Sequence, residues 1–333
     1  MNAPTDLNNK INSIIELYSS GHINQALDAV HTLINHHPNE PLLRNIEGVC
    51  YKSTGQLEMA VKCFERAVEI KPDYADAHFN LGLTLQELNQ LDAAVKCYQV
   101  TLALESSYVK AHNNLGIIYK ELGKMADAVK SYEQAIALQP GFAEAHNNLG
   151  ITFQELGQLD EAVKCYEEAL VIQPDYIEVL NNHGNTLKLL GQTDEALNSY
   201  KQALSINPDY ADAHNNIGII YHEMGQFDEA IKCYKKVIAI KPEHAEAHNN
   251  LGVTLNKLTQ FHEAINSYEQ ALAINPNYDE AHFNLGVTLY ELGQSDEALN
   301  SYKRTLVINQ DYADAHNNIG NILQDLGQLD EAF

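Results

Sequence analysis

The 333-residue sequence has no tryptophan, only five cysteines, and 21 lysines and arginines against 45 acidic residues, a formal net charge of −24. So few basic residues disfavour nucleic acid and anionic membrane surfaces as partners, because affinity for both rests on clusters of Lys and Arg. No apolar run approaches the roughly 20 residues that a membrane-spanning helix requires. The opening MNAPTDLNNKINSII lacks a charged segment followed by an apolar one, so no secretory signal is read. No cysteine belongs to a CxxC pair. Cys63, Cys97, Cys165 and Cys233 share one recurring position with Ser131, Ser199, Ser267 and Ser301, which suits small packing side chains and not a disulfide framework. A cytoplasmic location is the expectation. Walker A, GxGxxG and GxSxG motifs are also missing. The run His262-Glu263-Ala264-Ile265-Asn266 approaches a zinc-protease HExxH and fails at its last ligand. No catalytic residue, metal site or cofactor is therefore expected.

What the sequence does contain is one unit written many times. Ala211 to His244 is 34 residues long, and Gly218 recurs at that step as Gly48, Gly82, Gly116, Gly150, Gly184, Gly252, Gly286 and Gly320. Ala230 recurs in phase as Ala26, Ala60, Ala94, Ala128, Ala162, Ala196, Ala264, Ala298 and Ala332. A fixed period of this length signals a stack of supersecondary units. Residues 1–6 read as a short leader and 7–333 as a single array. Repeats begin at Leu7, Pro41, Ala75, Val109, Ala143, Ile177, Ala211, Ala245, Asp279 and Ala313. The first is degenerate, with Ile14 in place of glycine. The last stops at Phe333, early in a second helix. Array ends need a polar cap, so the natural polypeptide is expected to continue beyond Phe333.

Each repeat reads as two helices. In the repeat at 211, Ala213, Ile217, Ile220, Tyr221 and Met224 fall at helical three-and-four spacing. Gly225 supplies a left-handed residue that ends the first helix. Asn89 and Thr259 stand at that place in other repeats, the threonine with less comfort. Asp228 and Glu229 suit the first turn of a second helix. Ala230, Tyr234, Val237 and Ile238 form its apolar face, and Pro242 stops it. Ser106 and Gln310 replace that proline, so looser junctions are expected there. Glycine inside a helix costs about 1 kcal/mol against alanine. Its recurrence implies that Gly218 and Ala230 let the two helices of a repeat approach closely, with Tyr234 filling space towards the next repeat. An all-helical solenoid follows.

Gly, Ala, an aromatic and Pro at fixed offsets in a 34-residue period resemble the tetratricopeptide repeat, over Leu7 to Phe333. The resemblance implies an all-α, right-handed α-α superhelical solenoid of about nine and a half helix-turn-helix repeats. One departure stands out. Where the family often has tryptophan early in the first helix, this chain has His78, His112, His146, His214, His248, His282 and His316, with Leu180 in one repeat. Adjacent ladder members lie about 8–10 Å apart, too far to share a zinc ion at about 2.1 Å from each nitrogen. They read as half-buried packing residues, with a joint gain of charge near pH ~6.5 as the alternative.

A second ladder is polar. Asn80, Asn114, Asn148, Asn182, Asn216, Asn250, Asn284 and Asn318 hold one position in eight consecutive repeats. Asn113, Asn147, Asn181, Asn215, Asn249 and Asn317 precede six of them, with Phe79 and Phe283 as the exceptions. Asparagine is a poor helix former because its side chain competes for backbone hydrogen bonds. The family resemblance implies that first helices line a concave groove and that this position faces into it. An amide there can donate and accept, and so grip the backbone of an extended peptide. The other reading is that the asparagines bond only within the stack. Acidic groove walls are expected from Glu87, Glu121, Glu155, Glu223 and Glu291 near the ends of the first helices. Asp76, Glu144, Glu178, Asp212, Glu246, Glu280 and Asp314 lie near their starts. Family members that clamp a carboxylate use groove lysines and arginines. Lys110 and Lys257 are the few basic exceptions; such residues are otherwise missing here, so no clamp of that kind is expected and basic or Ser/Thr-rich extended peptides are the expected partners.

Two functions from different classes follow. One is a protein-interaction scaffold. The other is the substrate-recognition arm of a larger enzyme, since an asparagine-lined array resembles the N-terminal region of O-linked N-acetylglucosamine transferases, or serves another C-terminal transferase. End-to-end self-assembly is a third reading, weakened by the degenerate first repeat.

Overall fold

The computed structural model describes residues 3–325, which are α-helical between short loops with no strand among them. They fall into two compact bodies, Met1–Gln173 and Pro174–Phe333. The first body holds α1 (Ala3–Ser19), α2 (Ile23–His36), α3 (Pro41–Ser53), α4 (Leu57–Ile70) and α5 (Ala75–Glu87). It continues with α6 (Leu91–Leu104), α7 (Val109–Glu121), α8 (Met125–Leu138), α9 (Ala143–Glu155) and α10 (Leu159–Ile172). In the second body are α11 (Ile177–Leu189), α12 (Thr193–Ile206), α13 (Ala211–Glu223), α14 (Phe227–Ile240) and α15 (Ala245–Lys257). There follow α16 (Phe261–Ile274), α17 (Asp279–Glu291), α18 (Ser295–Ile308) and α19 (Ala313–Asp325). Within each body consecutive helices pair as hairpins up to α18, and each hairpin packs its second helix against the first helix of the next, ending on α19. This is the all-α repeat stack expected from the period. Helix α1 starts at Ala3, inside the stretch read as a leader. Ala332 and Phe333 lie outside the described residues.

The turn inside each hairpin is three residues long, as in Met224-Gly225-Gln226 between α13 and α14. Gly225 takes φ +72°, and the corresponding residues without glycine, Asn89 and Thr259, take +58° and +59°. The turn demands that conformation whatever residue is present. For the β-branched Thr259 it carries a cost of about 1–2 kcal/mol.

Seven of the four-residue loops between hairpins are closed by a histidine. Nε2–H of His78, His146, His214, His248 and His282 donates to the carbonyl of the loop proline six residues earlier, at 2.9–3.1 Å. His112 and His316 make the same bond to Ser106 O and Gln310 O, at 3.0 and 2.9 Å. Helices α6 and α18, which lack a following proline, end at the same place in the repeat as the others. The junctions expected to be looser are thus closed by the same bond. Proline favours the loop, while the imidazole ties it down.

The recurring glycine has a more specific role than helix–helix approach. A Cβ on Gly218 would lie 2.7 Å from Tyr234 Cε1, and one on Gly116 would lie 2.5 Å from Tyr132 Cε1. The tyrosine of each hairpin fills the gap that its own glycine leaves, buried to 1% exposure or less. In the first hairpin with glycine, Phe64 takes that place against Gly48. Tyr234 also shares a core cluster with Leu251 and Leu255 of the following repeat. One ring therefore closes its own hairpin and joins it to the next.

Gly218→Ala is expected to lower stability by about 1–3 kcal/mol, because overpacking of the ring outweighs about 1 kcal/mol of added helix propensity. Thr259→Gly is expected to raise stability by about 1 kcal/mol through release of the left-handed strain. Urea unfolding followed by circular dichroism at 222 nm reads both; an unchanged midpoint for Gly218→Ala would refute the ring-gap account.

Candidate functional site

The two asparagine columns occupy adjacent positions of the first helices and differ in burial. Asn113, Asn147, Asn181, Asn215 and Asn249 are buried, as is Asn45 in the same column, whereas Asn317 is exposed. Asn80, Asn114, Asn148, Asn182, Asn216, Asn250, Asn284 and Asn318 are half-buried. An outer asparagine donates Nδ2–H back to the inner one of the preceding repeat. The bonds are Asn80 to Asn45 (3.0 Å) and Asn148 to Asn113 (3.1 Å) in the first body. In the second they are Asn216 to Asn181 (3.0 Å) and Asn284 to Asn249 (3.1 Å). The inner amide then donates onward, Asn113 to Glu144 Oε1 at 3.0 Å and Asn215 to Glu246 Oε1 at 3.1 Å. The inner column is therefore part of the packing between repeats, and the outer column forms the accessible amide surface. Each outer asparagine in these four bonds keeps its Oδ1 as an acceptor.

Where phenylalanine interrupts the inner column, the outer asparagine turns elsewhere. Asn114, which follows Phe79, donates to Tyr98 Oη at 3.1 Å, and Asn318, which follows Phe283, donates to Tyr302 Oη at 3.1 Å. The core tyrosines thus deliver their hydroxyls into the first-helix layer. Tyr98 also donates to Gln86 Oε1 (3.0 Å) and Tyr166 to Gln154 Oε1 (3.3 Å). Burial pushes these phenols upward from their ordinary range, shown by Tyr98 and Tyr200, so they remain protonated donors.

Four of the five expected acidic wall residues are paired. Lys52, Lys120 and Lys188 reach Glu87, Glu155 and Glu223 one repeat on, the last two at 3.0 and 2.8 Å. Asn256 donates to Glu291 at 2.8 Å. Among the described residues, Glu121 alone of the five has no such cross-repeat donor. The wall is thus less anionic than the glutamates suggest, although partly exposed pairs of this kind add only about 0.2–1 kcal/mol each. The lysines were legible as residues recurring in alternate repeats from 41 to 177, one position before the glutamate column. Near the helix starts, Asp76 accepts from Tyr108 Oη at 3.0 Å and Asp212 pairs with Lys241 at 3.1 Å. Burial, then the carboxylates of Asp279 and Glu246, raise the carboxyl of Glu280.

The cysteines are free thiols, raised by burial to about 12 at Cys63 and to about 11 at Cys97, Cys165 and Cys233, which makes them poor nucleophiles and ligands. No group of three or more metal-ligating side chains occurs among the described residues. No helix among them is long and apolar enough to cross a membrane. What the arrangement offers is a set of hydrogen-bonding and charged side chains repeated along the first helices.

Sequence profiles for the family described as TPR repeat match residues 48–89, 85–123, 118–157, 184–225 and 288–327. Profiles described as tetratricopeptide repeat match 209–277, 143–176 and 267–300. A search of curated proteins returns no match. Among solved structures, the Cut9–Hcn1 hetero-tetramer of APC/C aligns with a TM-score of 0.60 at 16% identity, covering 90% of this chain and 59% of that one. MamA aligns over 50% of this chain and 92% of its own, with a TM-score of 0.46 at 24% identity. YrrB, described as a TPR protein with an unusual peptide-binding site, covers 55% of this chain and 95% of its own, with a TM-score of 0.46 at 22% identity.

Tyr98→Phe removes two hydrogen bonds and is expected to cost about 1–2 kcal/mol. Tyr132 is equally buried, but its hydroxyl makes no hydrogen bond of good geometry, with Thr152 beside it. Tyr132→Phe is therefore expected to be neutral or stabilising. Thermal melts of the two variants side by side give the comparison, and equal losses would show that the Tyr132 hydroxyl is satisfied in solution.

Proposed function

The chain belongs to the tetratricopeptide-repeat family, and from that premise we propose that it is a protein-interaction scaffold whose first helices hold extended segments of other proteins. The observation that carries this reading is the outer asparagine column. Its amides are half-buried and spaced by the repeat, and Asn80, Asn148 and Asn284 keep an acceptor oxygen after making their bond within the stack. A peptide in extended conformation presents backbone N–H and C=O groups at short intervals, which such amides recognise without reading side chains. The inner asparagines support the ladder from behind instead of touching the ligand. The net charge of −24 favours basic or Ser/Thr-rich segments over acidic ones. Partners among nucleic acids and membranes remain disfavoured by the scarcity of Lys and Arg clusters.

A second reading uses the same surface. The asparagine ladder also suits the substrate-recognition arm of a larger enzyme of the O-linked N-acetylglucosamine transferase kind, where the captured segments would be acceptor sequences rich in Ser and Thr.

Selection of disordered peptides from a displayed library tests both. The wild-type protein is expected to enrich basic or Ser/Thr-rich sequences. Replacing Asn148, Asn182, Asn216 and Asn250 together with alanine is expected to abolish enrichment while far-UV circular dichroism stays helical. Recovery of the same sequences by the folded variant would remove the amides from the recognition surface.

A further inference from the structure

A second accessible feature of the first body lies between its second helices. Helices α8 and α10 are each joined to α9 by a short loop and packed against it, so both run opposite to it and parallel to one another. Between them, over α9, is a groove of about 350 Å3 whose surface is almost wholly apolar. Ile136 and Ala137 of α8 form one wall, Cys165 of α10 the other, and Leu149 of α9 the floor. None of the outer asparagines lines it.

The rim of the groove is charged. Glu133 stands on the α8 side, with Lys164 and Glu168 on the α10 side. Among the described residues none of these three belongs to an ion pair. Burial, then the charges of Glu133, Glu161 and Glu168, raise the Cys165 thiol to about 11, and Lys164 opposes them. The imidazole of His146 also borders the groove, but its Nε2–H is already given to Pro140 O at 3.0 Å. The free charge at the rim is therefore that of two glutamates and one lysine.

The combination is peculiar to this repeat. The columns of Glu133 and Glu168 hold His31 and Arg66 around the repeat at 41, and Lys201 and Lys236 around the repeat at 211. Every other such pair contains at most one glutamate. The floor varies as well, since the column of Leu149 carries Glu47 in the repeat at 41 and His183 in the repeat at 177. An apolar floor between two acidic walls occurs once along the chain.

We propose that this groove docks an amphipathic helix of a partner protein, which inserts one leucine-sized side chain and lays an arginine on each wall. A groove between two parallel helices fits a third helix, whose side chains interdigitate with theirs at axis separations of about 8–10 Å. In a helix with leucine at position i, residues i−3 and i+3 point about 60° to either side of it. The pattern Arg-x-x-Leu-x-x-Arg therefore directs one guanidinium towards Glu133 and the other towards Glu168. Arginine suits carboxylates at the edge of an apolar surface, because its stem packs on carbon while its planar fork bonds oxygen. Lys164, one turn before Glu168, weakens that side, so Glu133 is the stronger anchor. A partner held here leaves the outer amides free for an extended segment.

The test uses the full chain and an N-terminally fluorescein-labelled peptide amide, Ala-Ala-Gln-Ala-Ala-Arg-Gln-Ala-Leu-Gln-Ala-Arg-Ala-Gln-Ala-Ala, with binding read by anisotropy. Exchange of its leucine for alanine is expected to weaken binding about ten-fold, through loss of one buried apolar side chain. Exchange of both arginines for glutamine, or Glu133→Lys in the protein, should weaken it about five-fold, as for exposed ion pairs. Ala137→Arg, which fills the groove from an exposed helical position, should abolish binding. Glu167→Lys makes the same change of charge at an exposed residue outside the groove, and is expected to leave binding unchanged. Circular dichroism checks that each variant is folded. Binding that survives Ala137→Arg, or that falls equally in Glu133→Lys and Glu167→Lys, overturns the groove. Tighter binding of a peptide with glutamate for both arginines, or no binding of the arginine peptide, overturns it too. The extended-segment reading stands in all these cases, because its amides lie outside the groove.

Discussion

The structure depends on an aromatic ring set into a gap left by glycine. Each tyrosine of the second helix lies where a Cβ on its partner glycine would be, within 2.5–2.9 Å of a ring carbon from Gly82 to Gly286. The contact sets how closely the two helices of a hairpin approach. It also decides what the opposite edge of the ring can reach, since Tyr234 joins Leu251 and Leu255 of the next repeat in one cluster. A single side chain thus serves closure and stacking together. The histidine then ties the loop to the following helix by a bond to the carbonyl six residues earlier. Tryptophan would fill such a position by bulk alone, whereas imidazole adds a directed bond to a carbonyl that would otherwise face water.

Placing tyrosine in this gap carries a polar consequence. The ring must point its hydroxyl into the layer of first helices, where a buried O–H needs a partner. The repeat meets this need with residues on those helices, and the solution differs from one repeat to the next. Gln86 and Asn114 serve Tyr98, Gln154 serves Tyr166, Asn185 serves Tyr200, and Asn318 serves Tyr302. The asparagine columns are therefore coupled to the core. A phenylalanine at 79 or 283 redirects the amide of the next repeat from asparagine to tyrosine. Recognition surface and packing are made from the same side chains.

This coupling explains what could be read from the sequence and what could not. The glycine, alanine, tyrosine and histidine columns repeat every 34 residues, and each column keeps its structural role, so hairpins, turns and core followed directly from the period. Gly225, Asn89 and Thr259 were legible as left-handed residues for the same reason. Contacts between first helices do not follow columns. Asn80 bonds Asn45 and Lys120 bonds Glu155, each pair 35 residues apart, so partners sit in neighbouring columns. Columns taken one at a time show a row of glutamates and a row of asparagines. They do not show that lysines neutralise alternate glutamates or that the inner asparagines are buried. The role of the glycine was only partly legible, because its beneficiary is a ring edge sixteen residues away and not the facing backbone.

A periodic surface has a difficulty that its own regularity creates. If every repeat offered the same amides, a bound chain could shift by one repeat at little cost, and affinity would come without a defined register. Differences between repeats are then what specify position, and they need not be large. Along α7 and α9 the change from Gln86 to Lys120 and from Phe79 to Asn113 gives the hydroxyl of Tyr132 other surroundings than that of Tyr98, with Thr152 beside it. Glu121 meanwhile has no cross-repeat donor among the described residues. The fold tolerates this because the ring still fills its gap: stability depends mainly on the apolar edge of the tyrosine, and the hydroxyl is free to vary. Separation of the two edges of one side chain is what lets the polar surroundings differ between repeats without disturbing the stack.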